Sequence, residues 1–468
     1  MDPWRLLWYS QRPSKQTGWM LNLTSPRLFL LSFCTLILLG AVGFLILPGL
    51  YTGPRLSPVD ALFTSTSAVC VTGLIVVDTA TYFTPLGQAW VALLIQLGGL
   101  GILTFTSFLA LGMGRRAGLH LEEAAGVPGH HLAAVRRESL LRAIVALTLT
   151  IEAVGTVGLW LSWRGRMGNL GAIWPAIFHA ISAFCNAGFS VFTDSLAGSR
   201  ESPVTLSVVM ALVVLGGLGF IVLEEVRTRY LSKSLRRLSL HSKLVLTLTA
   251  LLLASSWVMF SFFEWTHELA GLSTFHRLMN SAFMAVTPRT AGFNTVDYGS
   301  VNNPSLFLSM LLMLVGGSPG STAGGMKTVT AGLLLLLLVS RLRGHARVSV
   351  FDRSISRDTV QRAMGLVVGG SMILAGAIFL LSISELPVGG QENRVEFIEL
   401  IFEAVSAFGT TGLSMGVTAT LSATGRVLIV LLMFVGRVGP LALVSAMTLA
   451  RRKTASSFRF GEEQVIIG

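Results

Sequence analysis

The sequence has little charge and few residues that could hold a metal or a disulfide framework. Only 12% of its 468 residues are Asp, Glu, Lys or Arg, about half of the usual share for a soluble domain. The three cysteines, Cys34, Cys70 and Cys185, lack metal-ligand spacing, and we expect them to be small buried thiols. No cleavage site follows the apolar run Leu28 to Leu50, which is too long for a signal peptide and predicts a retained span. A soluble globular protein is therefore disfavoured.

Long apolar runs are abundant instead, and they predict an all-α integral membrane protein. Hydrophobic residues make up 52% of the chain. A bilayer is crossed by about 20 apolar residues in a helix. Eight runs reach that length, which predicts eight transmembrane helices at 27–50, 86–113, 140–162, 204–226, 241–264, 303–340, 363–384 and 425–450.

The basic residues are distributed unevenly, and their distribution predicts the topology. Of 35 Lys and Arg, 25 lie in segments that eight spans place on one side of the membrane. The positive-inside rule makes that side cytoplasmic, so both termini are expected there. Because these charges flank membrane spans, the net charge of +12 does not indicate nucleic-acid binding. The segments are Arg5–Arg27, Arg115–Arg142, Arg227–Lys243, Arg341–Arg362 and Arg451–Arg459.

Four short motifs ending in glycine recur every 104 to 120 residues between the predicted spans. Each follows an amphipathic stretch of about a dozen residues, which is half the length of a span. We predict four half-helices whose C-terminal dipoles and backbone carbonyls surround one axis, as in a cation selectivity filter. The motif residues are Cys70, Val71, Thr72 and Gly73; Cys185, Asn186, Ala187 and Gly188; Arg289, Thr290, Ala291 and Gly292; and Gly409, Thr410, Thr411 and Gly412. The half-helices are Pro58–Ala68, Ile173–Ala183, Thr274–Ala285 and Val395–Ala407.

The motifs divide the chain into four repeats of span, half-helix pore loop and span in pseudo-fourfold arrangement. The predicted organisation is a cytoplasmic N-terminus 1–26, repeat A 27–113, a loop 114–139, repeat B 140–226, a loop 227–240, repeat C 241–340 with a broken second span, a loop 341–362, repeat D 363–450 and a cytoplasmic tail 451–468.

A second repeated pattern, a pair of glycines, follows the motifs and indicates a gate. A glycine pair arrives 24 to 28 residues after three of the motif glycines, at Gly98-Gly99, Gly216-Gly217 and Gly316-Gly317. In repeat D the second glycine is replaced by Arg437, which must face a polar cavity or a carboxylate if it lies in a span. In repeat C the pair opens a run that cannot hold a helix: Gly316, Gly317, Ser318, Pro319, Gly320, Ser321, Thr322, Ala323, Gly324 and Gly325.

We interpret this run as a small, mobile gate loop beneath the filter, acting with Arg437 as an electrostatic barrier. A structural ion pair is the alternative for Arg437. A phosphate-binding loop is rejected because Met326 separates Gly325 from Lys327-Thr328.

Together these residues resemble the Trk/Ktr/HKT superfamily of potassium transporters over essentially the whole chain. The ending Gly461–Gly468 and the absence of further leading spans are most similar to KtrB-type membrane subunits, with the Trk type second. The resemblance implies K⁺ uptake across a bacterial cytoplasmic membrane through filter carbonyls of the four motifs, with Na⁺ as an activator or a coupled ion. It also implies a homodimer with one pore per subunit and a cytosolic RCK-type (KtrA-like) nucleotide-binding ring. The basic loops could dock that ring or anionic lipid headgroups.

Several points stay open at the sequence level. A secondary transporter for a small organic solute is the runner-up, disfavoured because we count four repeats and one broken span. An intramembrane hydrolase would need a Ser–His or paired Asp arrangement, and none is convincingly placed, so an enzyme is not expected. Glu152 and Glu264 are either functional intramembrane acids or partners of a buried base. Glu224-Glu225 could bind a divalent ion or balance arginines, and His130-His131 are expected in a solvated loop.

Overall fold

The computed structural model describes residues 25–101, 137–231, 238–345, 347–386 and 395–439. Within these ranges the regular secondary structure is helical apart from one antiparallel hairpin of β1 (Ser349–Val350) and β2 (Arg353–Ser354), and loops connect the helices. The helices are α1 (Ser25–Ile46), α2 (Pro58–Val69), α3 (Thr79–Tyr82), α4 (85–101), α5 (Arg137–Gly171), α6 (Ile173–Cys185), α7 (Pro203–Leu218), α8 (Phe220–Leu231), α9 (Leu240–Glu264), α10 (Thr274–Val286), α11 (Asn303–Leu314), α12 (Thr328–Leu342), α13 (Arg357–Ser384), α14 (Phe397–Gly409) and α15 (Ala423–Val438).

The short helices α2, α6, α10 and α14 begin and end within two residues of the predicted half-helices. Local signals start three of them: Ser57 caps α2 ahead of Pro58, Ser273 caps α10, and Glu396 forms a capping box with Glu399 at α14. Each packs against the long helix before it, most residues of α2, α6 and α14 are buried, and all four contribute to one common hydrophobic core. The short helices therefore lie inside the protein, where their polar ends can find partners.

The long helices match the predicted spans less closely. By length and composition, three described helices could cross a membrane, within Arg142–Gly171, Leu240–Glu264 and Arg357–Ser384, and one bent pair makes a fourth candidate. Shorter apolar helices overlap two other predicted spans: Leu30–Ile46 overlaps 27–50, and Asn303–Leu314 and Thr328–Leu342 overlap 303–340. The count of eight spans and the exact repeat boundaries stay predictions.

The prediction of a continuous span over 204–226 is wrong. α7 and α8 are separated at Gly219 by a bend of 103°. Gly219 has φ +88° and ψ 146°, a conformation that glycine tolerates and other residues avoid. Gly439, three residues after the repeat D pair begins, has nearly the same conformation (φ +85°, ψ 140°) and ends α15 at Val438. The rest of the predicted span over 425–450 lies outside the described residues.

The interruption predicted in the span over 303–340 is present, since α11 ends at Leu314 and α12 begins at Thr328. Two spans are thus broken among the described residues, not one. The argument from a single broken span against an organic-solute transporter therefore fails.

Some predictions fall outside the described residues. These concern the N-terminus up to residue 24, most of the loop 114–139 with His130-His131, and the tail 451–468. Cys70 and Cys185 are buried as expected, whereas Cys34 is exposed on α1.

Candidate functional site

The four motif glycines lie together in a closed ring. A Cβ built on any of them would meet the carbonyl oxygen of the residue before the next motif's glycine. The contacts run from the first motif to the second, third and fourth and back to the first: Gly73 faces Ala187, Gly188 faces Ala291, Gly292 faces Thr411, and Gly412 faces Thr72. All four glycines also have positive φ, from +70° to +95°. Glycine is therefore required both by the backbone conformation and by the close approach of neighbouring loops.

A second conformation recurs two residues before each glycine. There a residue other than glycine adopts the left-handed region, which costs an L residue about 1–2 kcal/mol. Three of the four are β-branched, which makes the conformation more unusual. Strain held at one position in four loops is typical of a functional site. The residues are Val71 (φ +55°), Asn186 (+59°), Thr290 (+66°) and Thr410 (+48°).

Three of the loops leave their short helices by the same hydrogen bonds. In repeat A, Val71 N–H donates to the Ala68 carbonyl (3.1 Å) and Thr72 N–H to the Ser67 carbonyl (2.8 Å). The same pair of bonds occurs at the ends of α6 and α14, and it satisfies the last free carbonyls of each helix. Repeat C differs, because Ala291 and Gly292 both donate to the Thr287 carbonyl. The ring is thus fourfold only approximately.

A cavity of about 360 Å³ lies against the ring and is lined by all four motif glycines and the segments that follow them. Asp78 and Asp297 line it, each five residues after a glycine and from motifs that are opposite in the ring. Asp78 accepts hydrogen bonds from Ala80 N–H (3.0 Å) and the Thr193 hydroxyl (2.9 Å), and Asp297 accepts from Gly299 N–H (2.9 Å). Two carboxylates at such a mouth attract cations.

Two buried polar residues that the sequence analysis missed support the walls of this mouth. His179 lies in α6 and its Nε2 is 2.9 Å from the Ser190 hydroxyl. Glu403 lies in α14 and accepts hydrogen bonds from Ser414 and Thr418. Each is nine residues before its motif glycine, and each partner serine is two residues after it. An ionisable residue nine positions before the motif glycine in two of the short helices was the available signal.

The glycine pairs after the motifs have a packing reason. A Cβ on Gly98, Gly216 or Gly436 would overlap the carbonyl oxygen of Val69, Phe184 or Phe408 respectively. Each carbonyl belongs to the residue four positions before a motif glycine. The second helix of repeats A, B and D therefore approaches the last turn of the short helix at backbone contact, directly behind the ring. In repeat C, Gly316 packs against Gly324 of its own loop instead.

The loop between α11 and α12 is buried and hydrogen-bonded to the bend between α7 and α8. Thr322 N–H and Ser318 N–H donate to the carbonyls of Gly216 (3.2 Å) and Gly217 (2.9 Å), and Phe220 N–H donates to the Gly320 carbonyl (2.9 Å). The bend removes the helical partners of these carbonyl and N–H groups at the end of α7 and the start of α8. The two interruptions thus satisfy each other's backbone hydrogen bonds, which explains how irregular backbone is stable inside the protein.

The same loop contacts the motif loops from behind. The Thr322 hydroxyl lies 3.0 Å from the Phe184 carbonyl and 3.1 Å from the Asn186 amide group. A Cβ on Gly324 would overlap the Thr410 hydroxyl. The predicted gate loop and the second and fourth motifs are therefore in direct contact.

Arg437 is 2% exposed and bridges this loop to repeat A. Its guanidinium donates to the Thr322 carbonyl and to the Gly98 carbonyl (3.4 Å). Among the described residues it forms no ion pair with a carboxylate, so these residues give the alternative of a structural ion pair no support. The structure brings Arg437 and the gate-loop residue Thr322 together, and their gating role stays a prediction.

Arg289 and the buried acids have other partners. Arg289 donates to the Thr328 hydroxyl (3.2 Å), and so ties its loop to α12. Glu152 accepts from Gln96 (3.1 Å). Glu264 accepts from Asn302 N–H (3.0 Å) and Ser305 (2.5 Å), and lies 3.3 Å from His267.

In the pair Glu224-Glu225, Glu225 accepts hydrogen bonds from Ser239 and Ser242 and so anchors the start of α9. Glu224 pairs with Arg227 at 3.2 Å on the surface. The balancing role predicted for this pair therefore fits Glu224, whereas Glu225 is a helix anchor.

Proteins of known sequence or structure are similar to this chain over most of its length. A family model described as TrkH, cation transport protein, matches residues 30–457. The chain is 36% identical to the potassium/sodium uptake protein NtpJ of Enterococcus hirae, over 96% of this chain and 98% of that one. It is also 36% identical to Ktr system potassium uptake protein B of Bacillus subtilis, over 95% of this chain and 97% of that one. Among solved structures, the potassium transporter TrkH from Vibrio parahaemolyticus matches with TM-score 0.70 at 19% identity, covering 95% of this chain and 88% of that one, which shows a shared fold.

Proposed function

This chain belongs to the TrkH family of cation transport proteins, and we propose that it takes up K⁺ through the ring of the four motif loops. It is an ion transporter and not an enzyme. The observation that carries the proposal is the closed ring of glycines and carbonyl oxygens, each with a left-handed residue two positions earlier. Rings of backbone carbonyls replace the hydration shell of K⁺.

The filter in this proposal consists of the carbonyls of residues 70–73, 185–188, 289–292 and 409–412. Because repeat C leaves its short helix differently, the coordination is less regular than in a symmetric filter. We therefore expect K⁺ to be preferred over Na⁺, but less strictly than in a channel with four identical loops. The carboxylates of Asp78 and Asp297 would concentrate cations at the outer mouth.

The gate in this proposal is the loop Gly316–Gly325 with Arg437. A guanidinium buried behind the ring repels a cation that leaves the filter. Its bonds to the Thr322 and Gly98 carbonyls support a closed state in which the loop is held across the pathway. Opening would require these bonds to break while the loop shifts relative to α8.

The same proposal includes a role for Na⁺, the partner subunits and the membrane in which the protein lies. The relative from Enterococcus hirae is named for potassium and sodium, which supports testing Na⁺ as activator or coupled ion. Relatives named as Ktr system proteins support a multi-subunit system, and we propose a homodimer with an RCK-type ring in a bacterial cytoplasmic membrane, both termini inside.

A groove of about 740 Å³ beside β1 and β2 is lined by Arg341, Arg347 and Arg357, and it offers a basic surface for the ring or for anionic lipid headgroups.

The test is ⁸⁶Rb⁺ flux into proteoliposomes that contain the purified chain, titrated with competing Na⁺. K⁺-preferring flux is the expected result. If no flux appears, the RCK-type ring and nucleotide are added, since a gate held shut would then open. The absence of flux both without and with the ring, or a flux that Na⁺ and K⁺ carry equally, would contradict the proposal. An organic-solute transporter would instead show solute uptake that a bulky residue in the ring leaves unchanged.

A further inference from the structure

Near the C-terminal end of each short helix, one buried hydroxyl residue lies five or six residues before the motif glycine. In repeats A, B and D it is a serine six residues before the glycine, and in repeat C it is a threonine five residues before. All four are at most 2% exposed. The residues are Ser67, Ser182, Thr287 and Ser406.

The hydroxyl groups bind the backbone at and just after the glycine. The Ser67 hydroxyl accepts from Gly73 N–H (3.1 Å) and donates to the Leu74 carbonyl (2.7 Å). Ser182 donates to the Phe189 carbonyl (2.7 Å), and Thr287 to the Phe293 carbonyl. Ser406 accepts from Gly412 N–H (3.1 Å).

The main-chain carbonyls of the same four residues bind the other side of the glycine. Each accepts the N–H of the residue that precedes the glycine: Thr72 to Ser67 (2.8 Å), Ala187 to Ser182 (2.7 Å), Ala291 to Thr287 (3.0 Å) and Thr411 to Ser406 (2.9 Å). One residue of the short helix thus fixes the loop before and after the ring position. Because glycine has no side chain to pack, these hydrogen bonds and the contacts with the neighbouring loops set where this backbone lies.

We propose that these four hydroxyls are positioning residues of the filter, an inference that rests on the proposed function. By holding the glycine N–H or by turning the carbonyl after the glycine towards the short helix, they define the outer end of the carbonyl stack and hold the ring at one width. A filter that keeps its width cannot contract around the smaller Na⁺, so the hydroxyls contribute to K⁺ preference. Ser67 makes both bonds and is expected to matter most.

The test compares Ser67→Ala with Ser65→Ala. Ser65 lies in the same helix, is equally buried, and its hydroxyl donates to the Ile37 carbonyl of α1 (2.6 Å), away from the ring. Each variant deletes one buried hydroxyl and leaves one carbonyl without its donor, and Ser67→Ala also leaves the Gly73 N–H without its acceptor. Both are therefore expected to lower thermal stability, Ser67→Ala by more. In Ser67→Ala the K⁺/Na⁺ flux ratio should fall by roughly fivefold, the effect of about one hydrogen bond. In Ser65→Ala the ratio should stay at the wild-type value.

Equal ratios in both variants and in wild type would show that the hydroxyls are merely structural. Ser182→Ala, which loses one bond, gives a second readout if Ser67→Ala does not fold, and an unchanged ratio there would also overturn the inference. Gly292→Ala distinguishes a failure of the positioning role from a failure of the filter itself. If it destroys selectivity while the serine variants do not, the filter stands and the positioning role fails; if it too leaves selectivity intact, the filter itself is wrong.

Discussion

Replacement of Gly292 by alanine is the most direct test of the ring, because its effect can be worked out from the structure. The new Cβ would overlap the Thr411 carbonyl oxygen and would lie 3.0 Å from the Gly188 Cα and 3.3 Å from the Gly412 Cα. All three are backbone atoms, which cannot rotate away, so the loops of repeats B and D must move outward.

The expected loss of stability has two parts. Positive φ costs alanine about 1–3 kcal/mol, and forcing a methyl into a packed site costs about 1–3 kcal/mol more, roughly 2–6 kcal/mol together. Gly168 supplies the control, since its φ of +76° is close to the +79° of Gly292 but no atom lies within 4 Å of its Cβ position. Gly168→Ala should therefore lose only the backbone part.

The assay is thermal unfolding together with ⁸⁶Rb⁺ flux in the presence of Na⁺. Gly292→Ala should lower the K⁺/Na⁺ ratio by roughly tenfold or more, whereas Gly168→Ala should leave it unchanged. Gly188→Ala should be intermediate, because its nearest atom, the Ala291 carbonyl oxygen, is 2.9 Å away and the other three sites are tighter. A folded Gly292→Ala protein with wild-type selectivity would refute the ring as the filter.

Three further predictions test the gate, the outer mouth and the ion pair between the first and last repeats. Arg437→Ala should raise partner-free Rb⁺ flux severalfold by freeing the Thr322 and Gly98 carbonyls, with Arg437→Lys intermediate; unchanged flux in both would rule out the gate. Asp297→Asn should lower K⁺ uptake about two- to threefold at low ionic strength and less at 0.15 M salt, while the loop residue Asp194, which makes a similar bond to Gly198 N–H, should be neutral when changed to Asn. The Asp60–Arg426 pair (2.5 Å) joins the first and last repeats but is partly exposed, so a double-mutant cycle should give a coupling of about 0.2–1 kcal/mol; a value near zero would mean that packing alone joins them.

The short helices and the motif glycines could be predicted from the sequence because their signals are local. A capping serine or glutamate, an amphipathic dozen residues and a glycine at a recurring interval each act over a few positions. The bounds of α2, α6, α10 and α14 were accordingly predicted within two residues. The interruption after Leu314 was predictable for the same reason, since several glycines and a proline in ten residues exclude a helix.

The bend at Gly219 was missed because one glycine in an apolar run has no local mark. Gly155 and Gly158 lie inside α5 without breaking it. What distinguishes Gly219 is the loop of repeat C, a hundred residues further along the chain. The N–H and carbonyl groups of that loop bind the backbone groups that lose their helical partners at the bend. The same holds for Arg437, whose charge could be seen in the sequence but whose partners could not.

The sequence by itself therefore determined the membrane character, the four glycine motifs, the short helices before them and the interrupted span, since composition, periodicity and backbone preference are properties of neighbouring residues. Only the tertiary structure decided that the motifs close into one ring, that four hydroxyls fix its backbone, and that the gate loop and the bend between α7 and α8 satisfy each other. Those features depend on backbone atoms from distant repeats meeting at hydrogen-bond distance, and backbone atoms are the same in every residue.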